Sequence, residues 1–466
     1  MLGFLMRLFF LFLLALHVVG PGMNAAEKSQ GTSGTTNAVA SLAGSEESLT
    51  LFDALCKALR DNYPMLELAG WDDSWVNEFR GKVQATSSRA AALEFMDELV
   101  CRLNDYHTRL FWPGRTQLSG PPVKVEPVLV QTNLPPGYGI WGLVHPPVEM
   151  PELSDVAIAV VQAEKSCGLQ PGDEIISVEG VPVREALAKA WRHSVGSSAA
   201  GKLRGTAGRM LLGPPGSELH LEVRRAGGEG GSKTLAVNVG RSPGSDEEAA
   251  KYSEEQSVPI IKITRWSNRR GEDLVAKVDH FLEQYKDKPG IVIDVRGNGG
   301  GEDDMASRVV ARFLKHPIIA SISFHRVVPS VNYERSVETT QPRGPRYPGR
   351  VAVLVDEGCM SACEHFVSGM IEAGALTCGT PTSGACGWIR PVQLPEGGVR
   401  VNVSQTFPLH TGGIPSPELG MAPHIWAPRA LADLRSGKDT ALTAALQWVR
   451  GTEPLPVRMQ PLPPAR

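Results

Sequence analysis

The stretch "VAVLVDEGCMSACEHFVSGM", Val351 to Met370, decides the reading. A β-branched apolar run breaks at Asp356-Glu357-Gly358, and a helical pattern follows from Ala362. A strand, a tight turn and a helix in that order aim the turn residue into a pocket, with the positive helix N-terminus behind it. Three nucleophilic side chains compete for that place: Cys359, Ser361 and Cys363. Ser361 also stands where an ordinary N-capping serine would. The next amide, of Ala362, is placed to stabilise an oxyanion. No lysine occurs between Lys315 and Lys438, so a general base must come from elsewhere in the chain.

A second motif lies upstream. "IVIDVRGNGGGEDD" sets Asp294, Arg296, Asn298 and the glycines 299 to 301 directly after another apolar strand. Three glycines let backbone approach a substrate and present amides to developing negative charge. The lysine and hydroxyl of a phosphate loop are missing. Around these motifs strand-like and helix-like runs alternate: "IIKIT", "GEDLVAKVDHFLEQY", "GIVIDV", "EDDMASRVVARFL", "GRVAVLV", "SACEHFVSGMIEAG" and finally "DTALTAALQWV". Alternation of this kind predicts an α/β domain with a partly parallel sheet, here over 255–450.

The rest of the chain divides around it. Residues 48–120 carry apolar residues at helical spacing in two runs, the second with Ser87 or Ser88 as N-cap, and read as a helical subdomain. Residues 121–243 are short β-like runs between Gly and Pro turns. "GRSPGSDEEAAKYSEEQS" reads as the linker leaving that module, 27–47 as a flexible leader and 451–466 as a proline-rich tail. The first residues join one cation, Arg7, to the apolar run Leu8 to Leu16 and a Gly20-Pro21-Gly22 break, which reads as an export signal over 1–26. That predicts a periplasmic or extracellular protein with no stable membrane span once the signal is removed.

Composition is ordinary for a globular protein, at 42% hydrophobic and 21% charged residues, and the net charge of -3 favours neither nucleic acid nor an anionic membrane. Seven cysteines are an odd number. They read as buried thiols with at most one bridge, for which Cys56 and Cys101 are candidates, and they lack metal-ligand spacing.

Two resemblances sharpen these expectations. Gly168-Leu169-Gln170-Pro171-Gly172-Asp173 with Val178-Glu179-Gly180-Val181-Pro182-Val183 resembles a PDZ domain of the bacterial protease type. Such a domain captures an extended peptide, often by its terminal carboxylate. "LNDYHTRL", "VIDVRGNGGG", "VAVLVDEGCMSACE" and "GMAPHIWAPRALADLRSGKDTALTAAL" resemble, in that order, the S41 family of C-terminal processing peptidases and tricorn core protease. The resemblance implies a crotonase-like ββα core, a serine endopeptidase acting on polypeptides, and no cofactor or metal. The family motif S-A-S-E stands here as Ser361-Ala362-Cys363-Glu364, so the resemblance makes Ser361 the nucleophile. It puts the oxyanion hole at the amides of Ala362 and Gly300, with Gly301 next.

The base departs from the processing-protease pattern, because the lysine expected 25 residues after the serine is Cys386. The tricorn-like branch implies His107 instead, oriented by Glu418, directly or through Tyr106, Ser404 or water, with Glu364 as an alternative partner. An imidazole with pKa near ~6.5 suits neutral pH better than a lysine near ~10.4. The other readings are a non-catalytic binding scaffold of this fold and a hydrolase using Cys359 or Cys363.

Overall fold

The computed structural model describes residues 43–451, apart from 67–68, 114, 116–117, 132–142, 144–145, 228–230, 242–246, 269–270, 327–331, 396–397, 411–413 and 416–419. The export signal, most of the leader, the proline-rich tail and Glu418 lie outside the described residues. Among the described residues, no helix is long and apolar enough to cross a membrane.

The sheet that positions the site has six strands. Gly290–Asp294 runs parallel to Val258–Ile263 on one side and to Arg350–Val355 on the other. Leu376–Gly379 and Ile425–Trp426 continue in parallel, and Ala250–Glu255 closes the far edge antiparallel. These strands read as unbroken apolar runs because both faces are covered. Ile291 and Ile293 enter one core with Val353 and the helices Leu274–Gln284, Asp303–Val310 and Ala362–Glu372. Val292 and Leu354 enter another core under the helix Thr440–Val449, beside Ala445 and Trp448. Phe366 anchors the helix Ala362–Glu372, its ring buried 4.8 Å from that of Trp266. Burying a side chain of that size is worth ~1.5–3 kcal/mol, and truncating it to alanine costs ~3–5 kcal/mol.

The segment read as a linker is only partly one: "AKYSEE" pairs with Val258–Ile263, and so belongs to the same six-stranded sheet. Its residues after Ala250 are all exposed, as suits a polar edge strand.

The N-terminal part folds as three helices, Ala43–Asn62, Asp73–Gln84 and Arg89–Cys101, the last capped by Ser88. Their core is not self-contained. It includes Val401 and Val403 from the strand Arg400–Ser404, with which Arg109–Phe111 pairs antiparallel. This pairing carries the "NDYH" segment onto the catalytic part of the chain.

The module between them is an antiparallel sheet in the order Val123–Leu129, Val156–Ala163, Glu174–Val178, Glu218–Ala226, Ser232–Gly240. The Gly172 turn, at φ +87, feeds Glu174–Val178, and the helix Val183–Trp191 follows a second turn. A second helix, Ala199–Arg209, packs its Leu203 into the same core as Trp191 and Leu221.

All seven cysteines are buried and none is in a disulfide, so Cys56 and Cys101 make no bridge. They act as small apolar side chains, and burial pushes both thiols up to about 12.

Candidate active site

Ser361 precedes the helix Ala362–Glu372 with φ 55 and ψ -127, a backbone conformation that a residue with a Cβ adopts at a cost of ~1–3 kcal/mol. Its surroundings hold it there. The Ser361 amide donates to the Ala385 carbonyl at 2.7 Å, and its own carbonyl accepts from the Glu364 amide at 2.8 Å. The Met360 amide donates to Asn298 O at 3.1 Å, which ties the nucleophile turn to the glycine loop.

Asn298 organises that loop. It is fully buried, its Nδ2 donates to Ile263 O at 3.1 Å, and its Oδ1 accepts the Gly300 amide at 2.9 Å. The Gly300 amide, expected in the oxyanion hole, is therefore already engaged. What Gly300 contributes is closeness: a Cβ there would lie 2.7 Å from Ser361 Cβ and 2.8 Å from Met360 O. Gly301 abuts the Trp266 carbonyl in the same way, and Trp266 N donates to Gly300 O at 3.0 Å. Asp294 does not face the nucleophile; it grips Arg296, which also donates to Asp439 at 2.8 Å.

The two rival thiols point into the core. Cys359 Sγ donates to Val295 O at 3.1 Å and Cys363 Sγ lies 3.9 Å from the same oxygen, both fully buried. Burial holds the Cys359 thiol well above its usual range, away from the thiolate that nucleophilic attack needs. The serine alone of the three stands at the loop junction. His365 is likewise accounted for, its Nε2 2.8 Å from Ser307 Oγ.

Cys386 occupies the place of the missing lysine. Its Sγ lies 3.8 Å from Ser361 O and donates to Glu364 Oε2 at 3.2 Å. Glu364 Oε1 also accepts from Thr382 Oγ1 at 2.5 Å and from the Gly384 amide at 2.7 Å. Burial nevertheless pushes this carboxyl up to about 7.

His107 lies in the turn just before the strand Arg109–Phe111, whose Arg109 pairs with Asn402. The Ser404 amide donates to Thr108 Oγ1 at 3.1 Å. Gly387, one residue past Cys386, approaches so closely that a Cβ on it would lie 2.7 Å from Ser404 Oγ. Ser404 Oγ and His107 Nδ1 are both buried, and neither has a hydrogen-bond partner among the described residues. Burial lowers the His107 imidazole below its ordinary value, with Asp105 opposing. Among the described residues no hydrogen bond joins Ser361 to His107; catalytic contacts in substrate-free enzymes are often long and tighten on binding. Glu418 cannot be placed, but Gly420, two residues on, packs against Thr382 O, and Met421 N donates to Thr382 Oγ1 at 2.7 Å.

The chain is similar to known proteins in sequence and in fold. Residues 257–425 match the family model "Peptidase family S41". That segment resembles peptidase family S41. It is 31% identical over 215 residues to the carboxy-terminal processing protease CtpB of Bacillus subtilis, a match spanning 46% of this chain and 39% of that protein's length. It is 25% identical over 373 residues to a carboxyl-terminal-processing protease of Synechocystis, covering 76% of each. The fold is similar to that of mature CPAF complexed with lactacystin, at a TM-score of 0.64, 14% identity, and coverage of 88% of this chain and 98% of that one. Members of that family are serine-type hydrolases.

Sequence reasoning missed two residues that build this site. Asp356 was legible only as the end of a strand. Its Oδ1 accepts the amides of Gly297 at 2.7 Å and Gly358 at 2.9 Å, so one carboxylate spans both catalytic loops. Burial works against its charge, but Arg204, Arg429 and Lys124 outweigh it and hold the carboxyl well below the usual range. Arg204, on the module helix Ala199–Arg209, had no sequence signal at all.

Proposed function

We propose that the chain is an exported serine endopeptidase that cleaves polypeptides through Ser361, with His107 as general base and Glu418 orienting it. The observation that carries this reading is the backbone of Ser361, held at φ 55 with Gly300 packed against its Cβ. Strain of that kind persists only where surroundings over-determine it, and an ordinary N-capping serine needs none.

In the proposed mechanism His107 takes the Ser361 proton as the hydroxyl attacks the scissile carbonyl. The oxyanion forms at the start of the helix Ala362–Glu372, where the Ala362 amide and the Gly301 amide receive it. His107 then protonates the leaving amine, and water resolves the acyl-enzyme. The unpartnered, buried Nδ1 of His107 supports a base that awaits an acceptor, the role assigned to Glu418, directly or through Ser404. Cys386 is no substitute for a lysine base, since its thiol already donates to a carboxylate.

The module at 121–243 is proposed to be PDZ-like and to receive polypeptide tails; the Gly172 turn, the strand after it and the helix Val183–Trp191 support this. The catalytic unit is proposed to be crotonase-like, on the strength of its parallel sheet and flanking helices. Export rests on the leader sequence.

The test is digestion of an unfolded protein mixture by the mature chain and by Ser361→Ala, read as new termini by mass spectrometry. Termini that only the wild type produces support the peptidase. Identical patterns favour a binding scaffold, the reading that the Cys386 position keeps open.

A further inference from the structure

A cavity of about 260 Å³ lies in the seam between the inserted module and the catalytic sheet, apart from Ser361. Liquid water takes ~30 Å³ per molecule, so this space would hold several waters or one compact ion with its nearest groups. Five cationic side chains line it: Lys124 from the module, Lys262 from the central sheet, Arg296 after the glycine-loop strand, and Arg429 and Lys438 from the C-terminal segment. The lining carboxylates are Asp433 and Asp439.

Ion pairs engage four of the five, Lys124, Arg296, Arg429 and Lys438. Arg296 is matched by Asp294 and Asp439. Lys124 and Arg429 share the single carboxylate of Glu126, which Arg204 also uses. Lys438 reaches Asp433 only at 3.8 Å. Lys262 is half-buried and makes no ion pair within 4 Å among the described residues, though its charge helps to lower the Asp294 carboxyl from a longer range. Cations brought together at a partly desolvated seam repel one another and raise the affinity for a counter-ion between them. The start of the helix Thr440–Val449 adds its positive end to the same wall.

The geometry points to a binding site for a phosphate-class oxyanion, either inorganic phosphate or a phosphate monoester. Cations arriving from separate elements suit an ion with oxygens on all sides better than a planar carboxylate, which one guanidinium would satisfy from one side. Lys262 and Lys438 hold the ion from the catalytic side and Lys124 from the module. An occupied site therefore fastens the module to the catalytic sheet.

The test is calorimetric titration of inorganic phosphate, and separately of phenyl phosphate, into the full chain at low ionic strength. Saturable binding at one site is expected, weakened at least about tenfold in Lys262→Met and less in Lys438→Gln, as charged hydrogen bonds are lost. Lys251→Met, on the exposed edge strand, keeps wild-type affinity. Tighter binding of phenyl phosphate identifies a monoester as the ligand; tighter binding of phosphate identifies the free ion. Absence of saturable heat overturns the site, as does equal affinity in the wild type and Lys262→Met. So does an equal loss in Lys251→Met, which would mean only diffuse attraction. Should Lys262→Met fail to melt cooperatively, unchanged affinity in Lys438→Gln overturns it instead.

Discussion

Arg204 of the inserted module donates to Asp356 of the nucleophile turn at 2.9 Å, bridging 152 positions of sequence. Its other arm reaches Glu126 on the module's strand Val123–Leu129 at 2.6 Å. Asp356 in turn holds the amides of Gly297 and Gly358. A single buried guanidinium thus links the module to both loops that flank Ser361. Removing one partner of such a pair leaves buried charge uncompensated, at a cost of ~3–5 kcal/mol. Arg204→Met should lower the unfolding free energy by about that much and reduce kcat/KM at least tenfold. Asp356→Asn in the Arg204→Met background should recover part of the stability. Denaturant unfolding of the two variants, beside peptide hydrolysis, checks both; additive losses would show that the two residues do not act as a pair.

His107→Ala should reduce kcat by ~10²–10⁴, the usual contribution of a positioned base, with little change in KM or melting temperature. The pH profile gives a second check. Only the neutral imidazole can take the Ser361 proton, and burial lowers its pKa. Wild-type kcat/KM should therefore fall in acid only at a pH lower than the ordinary ~6.5 of histidine would give. A rate unchanged in His107→Ala would remove this residue from the mechanism.

Cys386→Ala should keep hydrolysis within about threefold of wild type, because the thiol donates to Glu364 and takes no proton from Ser361. Steady-state kinetics on a single peptide decides this. Loss of activity beyond a hundredfold would return the base to the position where processing proteases carry lysine.

Glu364 predicts a stability that depends on pH. Burial raises its carboxyl to about 7 in the folded chain, so between its unfolded value and 7 the native state binds more protons. Stability contributed at this position is then full below about pH 4.3 and declines as pH rises towards 7. Glu364→Gln does not ionise and should gain on the wild type as the pH is raised from 5 to 8, in melting temperatures measured across that range. A difference that stays constant with pH would mean that the carboxyl titrates normally.

Much of this protein was written locally. Apolar runs bounded by Gly and Asp marked the strands Gly290–Asp294 and Arg350–Val355, since a strand covered on both faces needs apolar side chains at every position. Helical spacing and Ser88 marked Arg89–Cys101, and the order of motifs singled out Ser361 and the glycine loop. The edge strand Ala250–Glu255 was obscured because edge strands carry polar residues as linkers do.

What the tertiary structure alone decided concerns partners distant in the chain. That the Gly300 amide is taken by Asn298 Oδ1 depends on how a loop closes, not on its composition. That Cys359 and Cys363 face Val295 O while Ser361 does not follows from one unusual φ at the turn. Arg204 meeting Asp356, and the Ser404 amide meeting Thr108 Oγ1 beside His107, rest on the docking of separate segments. Short-range periodicity records which face of an element is buried, but electrostatic pairing acts between whichever charges the packed elements bring within a few ångströms, and no local pattern encodes that meeting.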